Sequence, residues 1–203
     1  LPGDIPADSA GELLVLSLGG KHSDGKPYVV GEFNAGGSGG GPRKDGVDVI
    51  ETDGSNCMNM PVEALELEAP VRVHRMNLRT DSGGVGEFRG GLGCVREIEF
   101  LADDIALTHR GERHRHAARG SQGGGAGAKA FSKIIRRDGS EEVVNSKLFT
   151  IVHAGERLIL ETAGGGGYGK SNNRDRQAIR DDVSNGKVSQ QCANAEYGLG
   201  DVN

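Results

Sequence analysis

The sequence predicts a mainly β fold of the α+β type, built from antiparallel hairpins and sheets with a few short helices and glycine-rich turns. Short apolar runs of strand length recur along the 203 residues and are bounded by Gly, Asp and Asn. Glycine accounts for 35 residues, a share more than twice the usual value of about 7%. These glycines follow no G-X-Y period, which excludes collagen and indicates turns and close approaches of backbone.

Composition argues against several classes of function. The chain has 24 basic and 29 acidic residues, a net charge of −5, 4% aromatic residues and no Trp. It therefore lacks the basic and aromatic surface of a nucleic-acid platform. The cysteines form no CxxC pair, so we expect neither a disulfide framework nor a structural zinc site, and we expect a cytoplasmic location. No apolar run reaches the roughly 18 residues that would span a membrane.

The N-terminal part is typical of a hairpin followed by a glycine-rich loop. Leu13 to Ser17 and Tyr28 to Phe33 are the predicted strands, joined by the turn GGKHSDGK. The loop from Asn34 to Gly46 could surround an anion with its backbone amides, or it could pack closely against other backbone. It lacks the GK[ST] ending of a P-loop, which favours a flexible or closely packed loop.

A short acidic helix is predicted next. Pro61 suits the first turn of a helix, and Pro70 stops it. Glu63 and Glu66 are three positions apart, so both carboxylates can share one helix face. Such a pair can do acid/base work or hold a cation, although on a short helix it is more often solvated.

Polar residues flank this helix in the sequence. Asn56 and Asn59 precede it and could form turns or bind a substrate amide. Asp81 and Arg89 follow it, within the loop DSGGVGEFRGGLG. They could form a structural ion pair or part of an anion site, and the sequence does not choose between these.

The rest of the chain alternates further strands with turns. Strands are predicted at 71–78, 94–101, 105–109, 129–136, 141–144, 149–152 and 157–162. Asp138-Gly139 indicates a hairpin turn, and residues 153–156 indicate another. We expect a β-rich portion over 1–170 and a helical tail over 171–203.

A basic loop follows the predicted strand 105–109. Its histidines lack the helical i, i+4 pair or Cys partner that zinc prefers, and its arginines would repel a cation. A loop that faces an anionic substrate or a partner subunit is the better interpretation. The residues concerned are His109, His114 and His116, interleaved with Arg110, Arg113, Arg115 and Arg119.

A second glycine-rich segment, AGGGGYGK, formally contains a GxGxxG pattern at Gly164, Gly166 and Gly169. No second parallel strand with a ribose-binding acid follows it, as a dinucleotide site would require. A structural or substrate-facing turn is therefore favoured.

Five motifs in a fixed order carry a family resemblance. They are KDGVD, SNxxNxPVExLExExP from Ser55 to Pro70, DSGGVGEFRGGLG, GER from Gly111 to Arg113, and ETAGGGGYG, and a VSNGKVS tail follows them. Together they resemble the C-terminal part of the hydantoinase B/oxoprolinase family. That resemblance implies one half of an ATP-dependent machine that opens cyclic amides, as N-methylhydantoinases and 5-oxoprolinases do. ATP with Mg²⁺ would be bound mainly by a hydantoinase A-like partner.

The resemblance also implies roles for seven residues. Phosphorylation of a lactam oxygen makes an imidate that water can attack, which calls for phosphoryl donors, an amide-binding Asn and a carboxylate that orients water. The implied catalytic positions are Asn56, Asn59, Glu63 and Glu66, and the implied substrate or phosphate contacts are Arg89, Asp81 and Arg113. No metal ligand is assigned in this chain. A divalent metal, if one is used, would lie in an upstream hydantoinase B-like segment, which is a further expected partner besides the small-molecule substrate.

Two departures from the family pattern bear on substrate identity. His116, Ala117 and Ala118 stand where relatives commonly carry an aromatic residue and a proline pair, and Ala163 replaces a common proline. Two alternatives to the hydrolase stay open. One is an ATP-dependent ketone carboxylase component of the acetone or acetophenone type, and the other is a structural or assembly component without chemistry of its own.

Overall fold

The structure, a computed structural model, describes residues 4–11, 14–51 and 57–200. In these ranges two antiparallel sheets pack face to face. Sheet 1 has the strand order β2-β1-β5-β8 and sheet 2 the order β3-β4-β9-β6-β7. The strands are β1 Leu14–Lys21, β2 Pro27–Asn34, β3 Val71–Leu78, β4 Cys94–Phe100, β5 Ile105–Arg110, β6 Phe131–Ile135, β7 Glu141–Val143, β8 Lys147–Val152 and β9 Arg157–Glu161. The predicted mainly β fold is confirmed.

Apolar side chains that alternate along the strands form the core between the sheets. Leu16 and Leu107 point inward from sheet 1, and Ile98 and Leu160 point inward from sheet 2. All four are fully buried, so the period-two pattern correctly predicted which face of each strand is covered.

Three short helices complete the described part of the chain: α1 Val62–Glu68, α2 Arg176–Ser184 and α3 Gln190–Tyr197. The Asp175 side chain caps α2 and the Ser189 side chain caps α3, each accepting backbone N–H bonds of the first turn. α1 packs against β2 and β3, where its Leu65 is buried. No helix in the described ranges is long and apolar enough to cross a membrane.

Two of the three predicted hairpins are present. β1 pairs with β2, and β6 pairs with β7 across the Asp138-Gly139 turn. The hairpin predicted at 153–156 is wrong, because β8 lies in sheet 1 and β9 in sheet 2. The turn instead crosses between the sheets. Its Glu156 carboxylate is buried, where it bonds to Arg136 at 2.9 Å and to the His153 N–H at 3.1 Å.

Beyond the ends of β2, β4 and β9, glycine-rich segments form a second packing unit without β-ladders. We call it the glycine bundle and define it as residues 7–10, 36–41, 82–91, 118–128 and 163–168. Segment 163–168 lies at its centre and exchanges backbone hydrogen bonds with all the others.

The central segment of the bundle has a three-residue period. Its first and fourth residues bond to 36–41, its second and fifth to 124–128, and its third and sixth to 88–91. Three residues per turn is the repeat of a polyproline II helix. In this bundle the N–H groups donate to neighbouring backbone rather than to water.

Only glycine allows these segments to approach so closely. A Cβ on Gly165 would lie 1.9 Å from the Ser38 carbonyl oxygen, and one on Gly164 would lie 1.8 Å from the Ser82 oxygen. Both distances are far inside van der Waals contact, and the obstacle is backbone rather than a movable side chain. The glycine excess is therefore explained by packing, as the packed-loop interpretation predicted.

Candidate functional site

The implied catalytic residues that the structure describes lie on or beside α1. Glu63 is exposed in the first turn. Glu66 is also exposed, and its Oε1 accepts the Val73 N–H at 2.8 Å, beside an irregularity in the β3 ladder. Asn59 is half-buried just before the helix. Asn56 lies outside the described residues.

Arg89 is held inside the protein by its own neighbours. Its side chain is only 3% exposed. Nη1 donates to Asp48 Oδ1 at 3.1 Å and to the Gly90 oxygen at 2.6 Å, and Nε donates to Asp182 Oδ2 at 3.3 Å. The Arg89 backbone N–H donates to Asp45 Oδ1 at 2.7 Å. This guanidinium therefore joins the glycine bundle to α2, and it pairs with Asp48 and Asp182 rather than with Asp81.

A second buried arginine extends this network. Arg174 donates to Asp45 at 2.6 and 2.7 Å and to Asp182 at 2.7 Å. Burial alone would raise the pKa of Asp45, but the hydrogen bonds and charge of Arg174 outweigh it and hold that pKa below its ordinary value. Lys187 likewise helps to lower the pKa of Asp48, whose Oδ2 it meets at 2.8 Å. We call these six side chains the Asp-Arg network: Asp45, Asp48, Arg89, Arg174, Asp182 and Lys187.

Asp81 fixes the position of α3. Its backbone has a left-handed φ of 62°, and its Oδ1 accepts the N–H of Ser189, the N-cap residue, at 2.7 Å. Thr80 adds a bond from its Oγ1 to the Gly186 oxygen at 2.7 Å. The loop after β3 is thereby tied to the loop that joins α2 to α3.

Arg113 lies on a different part of the chain from α1. It follows β5, whereas α1 packs against β2 and β3. Its guanidinium donates to three backbone carbonyls: Ser9 at 2.8 Å, Ala10 at 3.3 Å and Ala117 at 3.5 Å. It is half-buried and borders open clefts on several sides.

One of these openings is a basic cleft of about 540 Å³. We define the basic cleft by its polar lining: Asp8, Arg113, Arg115, His116, Arg119 and Lys129. Arg119 pairs with Asp8 at 3.2 Å, and the bonds and charge of Arg119 lower the pKa of Asp8 against the opposing effect of burial. Arg115 and Lys129 are exposed, and within the described ranges their side chains make no hydrogen bond or ion pair. The cleft thus combines four permanent cations with one carboxylate.

Two polar pairs are buried between the sheets near the cleft. Arg96 donates to Glu32 Oε1 at 2.5 Å, and His109 Nε2 lies 3.0 Å from Ser132 Oγ. Both Glu32 and His109 are directly opposite Leu16 in sheet 1, so the pairs lie at one level of the core. We call them the polar layer. Burial lowers the pKa of His109 to about 4, and the nearby His114 adds to that effect.

The glycine-rich loops do not offer free amides to a phosphate. Along 36–41 the N–H groups of Gly37 and Gly40 donate to backbone oxygens of the bundle, that of Ser38 donates to the Val47 oxygen, and that of Gly39 donates to Ser9 Oγ. The N–H groups of 164–167 are likewise bonded to backbone. In the part of the chain that the structure describes, no three His, Cys, Asp or Glu side chains converge as metal ligands would.

The structure separates the implied site residues into distinct places. Glu63 and Glu66 are on α1, Arg89 and Asp81 anchor α2 and α3, and Arg113 borders the basic cleft. The basic loop was recognisable from the sequence, but Asp8 and Lys129 were not. Asp8 and Arg119 are 111 positions apart, and no local pattern joins them.

A family model, a related protein sequence and a related solved structure all indicate the same family. The family model described as hydantoinase B/oxoprolinase matches residues 1–171. The B-type chain of a putative D-/L-hydantoinase from Pseudomonas sp. (strain NS671) is 30% identical over 191 residues, which cover 93% of this chain and 32% of that protein. The crystal structure of an ATP-dependent caprolactamase from Pseudomonas jessenii matches with a TM-score of 0.85 and 29% identity, over 98% of this chain and 36% of that one.

A more distant structure shares the fold. The nucleotide-free structure of an acetone carboxylase matches with a TM-score of 0.80 over 94% of this chain and 30% of that one. At 21% identity this likeness shows the fold alone. The chain spans about a third of the length of each of these three proteins.

Proposed function

Because the chain belongs to the hydantoinase B/oxoprolinase family, we propose that it is part of an ATP-dependent enzyme that hydrolyses the C–N bond of a cyclic amide. Relatives named as a hydantoinase and as an ATP-dependent caprolactamase support this reaction class. The structural observation that carries the proposal is the basic cleft, which suits an anionic, phosphorylated intermediate in a chain whose net charge is −5.

The basic cleft supplies what a phosphorylated lactam requires. ATP, bound mainly on a hydantoinase A-like partner, would supply the phosphoryl group. Arg115 and Lys129 then donate to the phosphoryl oxygens, since neither is occupied by another group in the described ranges. Arg113 holds the wall of the cleft, because its guanidinium is bonded to backbone carbonyls on two segments. A fixed positive wall stabilises charge that develops on the leaving phosphate.

The α1 residues are proposed for a separate task. Glu63 is exposed, so its carboxylate can orient a water molecule. Asn59, four residues earlier in the sequence, would bind the substrate amide. Glu66 is partly committed to the Val73 N–H. Since no α1 residue lines the basic cleft, these residues would serve a separate wall, which an upstream hydantoinase B-like segment completes.

The test uses the assembled enzyme with its A-type partner and a lactam substrate. Arg115→Ala and Lys129→Ala are expected to lower the ratio of amide opened to phosphate released by about tenfold each, because each loses a charge-assisted hydrogen bond of about 1.5–3 kcal/mol. A merely structural residue would lower both rates together. Arg180→Ala, an exposed arginine on α2, is the matched control and should leave the ratio unchanged.

Three outcomes would count against the proposal. An unchanged ratio in both cleft variants would remove the cleft from the reaction. Turnover of a ketone that depends on bicarbonate, with no turnover of lactams, would make the enzyme a carboxylase. Full activity of Glu63→Gln and Asn59→Ala would remove α1 from the chemistry and leave it a structural role.

A further inference from the structure

Asp8 is the only carboxylate among the described residues that line the basic cleft. Its side chain is 35% exposed, so a molecule in the cleft can reach it. The permanently charged groups around it are the guanidinium groups of Arg113, Arg115 and Arg119 and the ammonium group of Lys129. A carboxylate among these cations does not help to bind an anion, because it repels one. Its position therefore indicates a task other than anion binding.

The backbone at Asp8 is held by the glycine bundle. Its N–H donates to the Arg119 oxygen at 3.0 Å, and its carbonyl oxygen accepts the Gly166 N–H at 2.8 Å. At the preceding residue, the Ala7 oxygen would lie 1.9 Å from a Cβ on Gly39. Close backbone packing thus fixes the point from which the Asp8 carboxylate enters the cleft.

The two carboxylate oxygens of Asp8 have different surroundings. Oδ2 accepts the backbone N–H and the Nε–H of Arg119, each at 3.2 Å, whereas Oδ1 has no hydrogen bond within the described ranges. The Arg119 side chain is 85% exposed, so it can turn to a phosphoryl group while its backbone N–H keeps Asp8 in place. Burial raises the pKa of Asp8, but the bonds and charge of Arg119 outweigh burial and lower that pKa. The carboxylate is therefore ionised at neutral pH.

Hydrolysis of a phosphorylated lactam consumes two water molecules. The first adds to the amide carbon and breaks the C–N bond. Its oxygen stays on the carbon and both hydrogens go to the nitrogen, which leaves an acyl phosphate and a free amine. The second water attacks the carbonyl carbon of the acyl phosphate, and phosphate leaves with the electrons of the C–O bond that breaks. Glu63 is proposed to orient one water, but no α1 residue lines the cleft that holds the phosphoryl group.

We propose that Asp8 orients the second water in the basic cleft and accepts its proton. This inference rests on the proposed function, which supplies the phosphorylated cyclic amide. Oδ1 accepts the water O–H, while Arg115 and Lys129 hold the phosphoryl oxygens. The proton passes from the water to the carboxylate as the new C–O bond forms.

Trapping of the acyl phosphate in the assembled enzyme tests this role. Hydroxylamine converts an acyl phosphate into a hydroxamate, which mass spectrometry measures relative to the amine released. Asp8→Asn keeps an oxygen that accepts the Arg119 N–H, but it does not take up a proton. It is expected to slow the second step by about 100-fold and to raise hydroxamate per amine by at least about tenfold, because a general base contributes this much. The matched control Asp104→Asn removes an exposed carboxylate that does not line the cleft, and it should stay at the parent level.

A hydroxamate yield for Asp8→Asn equal to that of the parent protein would overturn the proposal. Loss of amine release without hydroxamate would also overturn it, because Asp8 would then act before the C–N bond breaks. If Asp8→Asn does not assemble, Asp8→Glu replaces it with the same expected result, since it displaces the carboxylate by one methylene group. Arg115→Ala and Lys129→Ala report separately on phosphoryl binding. If they change the ratio of amide opened to phosphate released while Asp8→Asn gives no extra hydroxamate, only the role of Asp8 fails.

Discussion

Arg89 shows how a residue can be implied in catalysis and yet serve the fold. Its guanidinium lies between Asp48 and Asp182 and is almost completely buried. A phosphate could reach it only by displacing one of these carboxylates. A positioning role is the simpler account, since Arg89 also fixes the loop that carries the bundle glycines.

We expect Arg89→Ala to lower the free energy of unfolding by about 1.5–3 kcal/mol, because Asp48 and Asp182 each lose a charge-assisted hydrogen bond and keep only Lys187 and Arg174 as partners. Urea denaturation measures this change. The control Arg180→Ala removes an exposed arginine and should stay within about 0.5 kcal/mol of the parent protein. A stable Arg89→Ala protein that has lost only activity would instead support direct contact with substrate.

His109 predicts a pH dependence of stability. Its pKa is about 4 in the folded protein against an ordinary value of 6.5. Between these values the unfolded chain binds the proton more readily, so stability is fully present above pH 6.5 and is lost as pH falls toward 4. Protonation of His109 is expected to lower the free energy of unfolding by about 3 kcal/mol.

A comparison of His109→Leu with the parent protein isolates that contribution. The variant is expected to lose less stability between pH 7 and pH 4 in urea titrations, whatever its absolute stability. Groups remote from His109 cancel in the comparison, whereas His114, whose ring centroid lies 5.4 Å from that of His109, is part of the measured difference. Identical pH profiles for the two proteins would show that His109 does not titrate in this window.

At the scale of elements, the glycine bundle replaces side-chain packing with backbone packing. Gly165→Ala should lower the free energy of unfolding by at least about 3 kcal/mol, because the new Cβ would lie 1.9 Å from the Ser38 carbonyl oxygen. Soluble yield and the urea midpoint measure it. Gly31→Ala is the control, since a Cβ at position 31 meets nothing within 4 Å. This substitution should leave stability unchanged or raise it slightly, because alanine lowers the conformational entropy of the unfolded chain. Equal behaviour of the two variants would contradict the packing account.

Local patterns predicted the strands and α1 well, because alternation and proline positions act over a few residues. β3 has the predicted bounds, β4 ends one residue before its predicted end, and β1 continues four residues beyond its predicted end. The 153–156 turn was mispredicted because a turn sequence does not reveal whether the next strand pairs with its neighbour or crosses to the other sheet. The three-residue bonding period of 163–168 was equally hidden, since its partners come from four distant segments.

The implied site residues show the same limit. KDGVD and DSGGVGEFRGGLG kept Asp45, Asp48 and Arg89 in order, and the structure joins these three in one buried network. A motif found by resemblance does not say whether its charges meet a substrate or each other. For a related reason, the sequence predicted only the basic loop of the cleft. Asp8 and Lys129 also line the cleft, but they come from remote parts of the chain.

At the scale of the whole molecule, the helical tail is joined to the β-rich portion by charge. Asp182 on α2 bonds to both Arg89 and Arg174, and Lys187 bonds to Asp48. A small apolar cluster around Ile179 and Tyr197 adds to this contact, and Val85 of the bundle packs against it. The helical tail, residues 171–203, thus stabilises the glycine bundle.

Removal of residues 171–203 is therefore expected to destabilise the β-rich portion by at least about 3 kcal/mol, because Asp45 loses Arg174, Asp48 loses Lys187 and Arg89 loses Asp182. Asp182→Asn keeps the tail but removes the charge shared by the two arginines, so it should reproduce part of the loss. Urea midpoints of the parent, truncated and Asp182→Asn proteins measure both effects. Equal midpoints for the parent and the truncated protein would make the tail an independent appendage, and the Asp-Arg network would then contribute nothing to the fold.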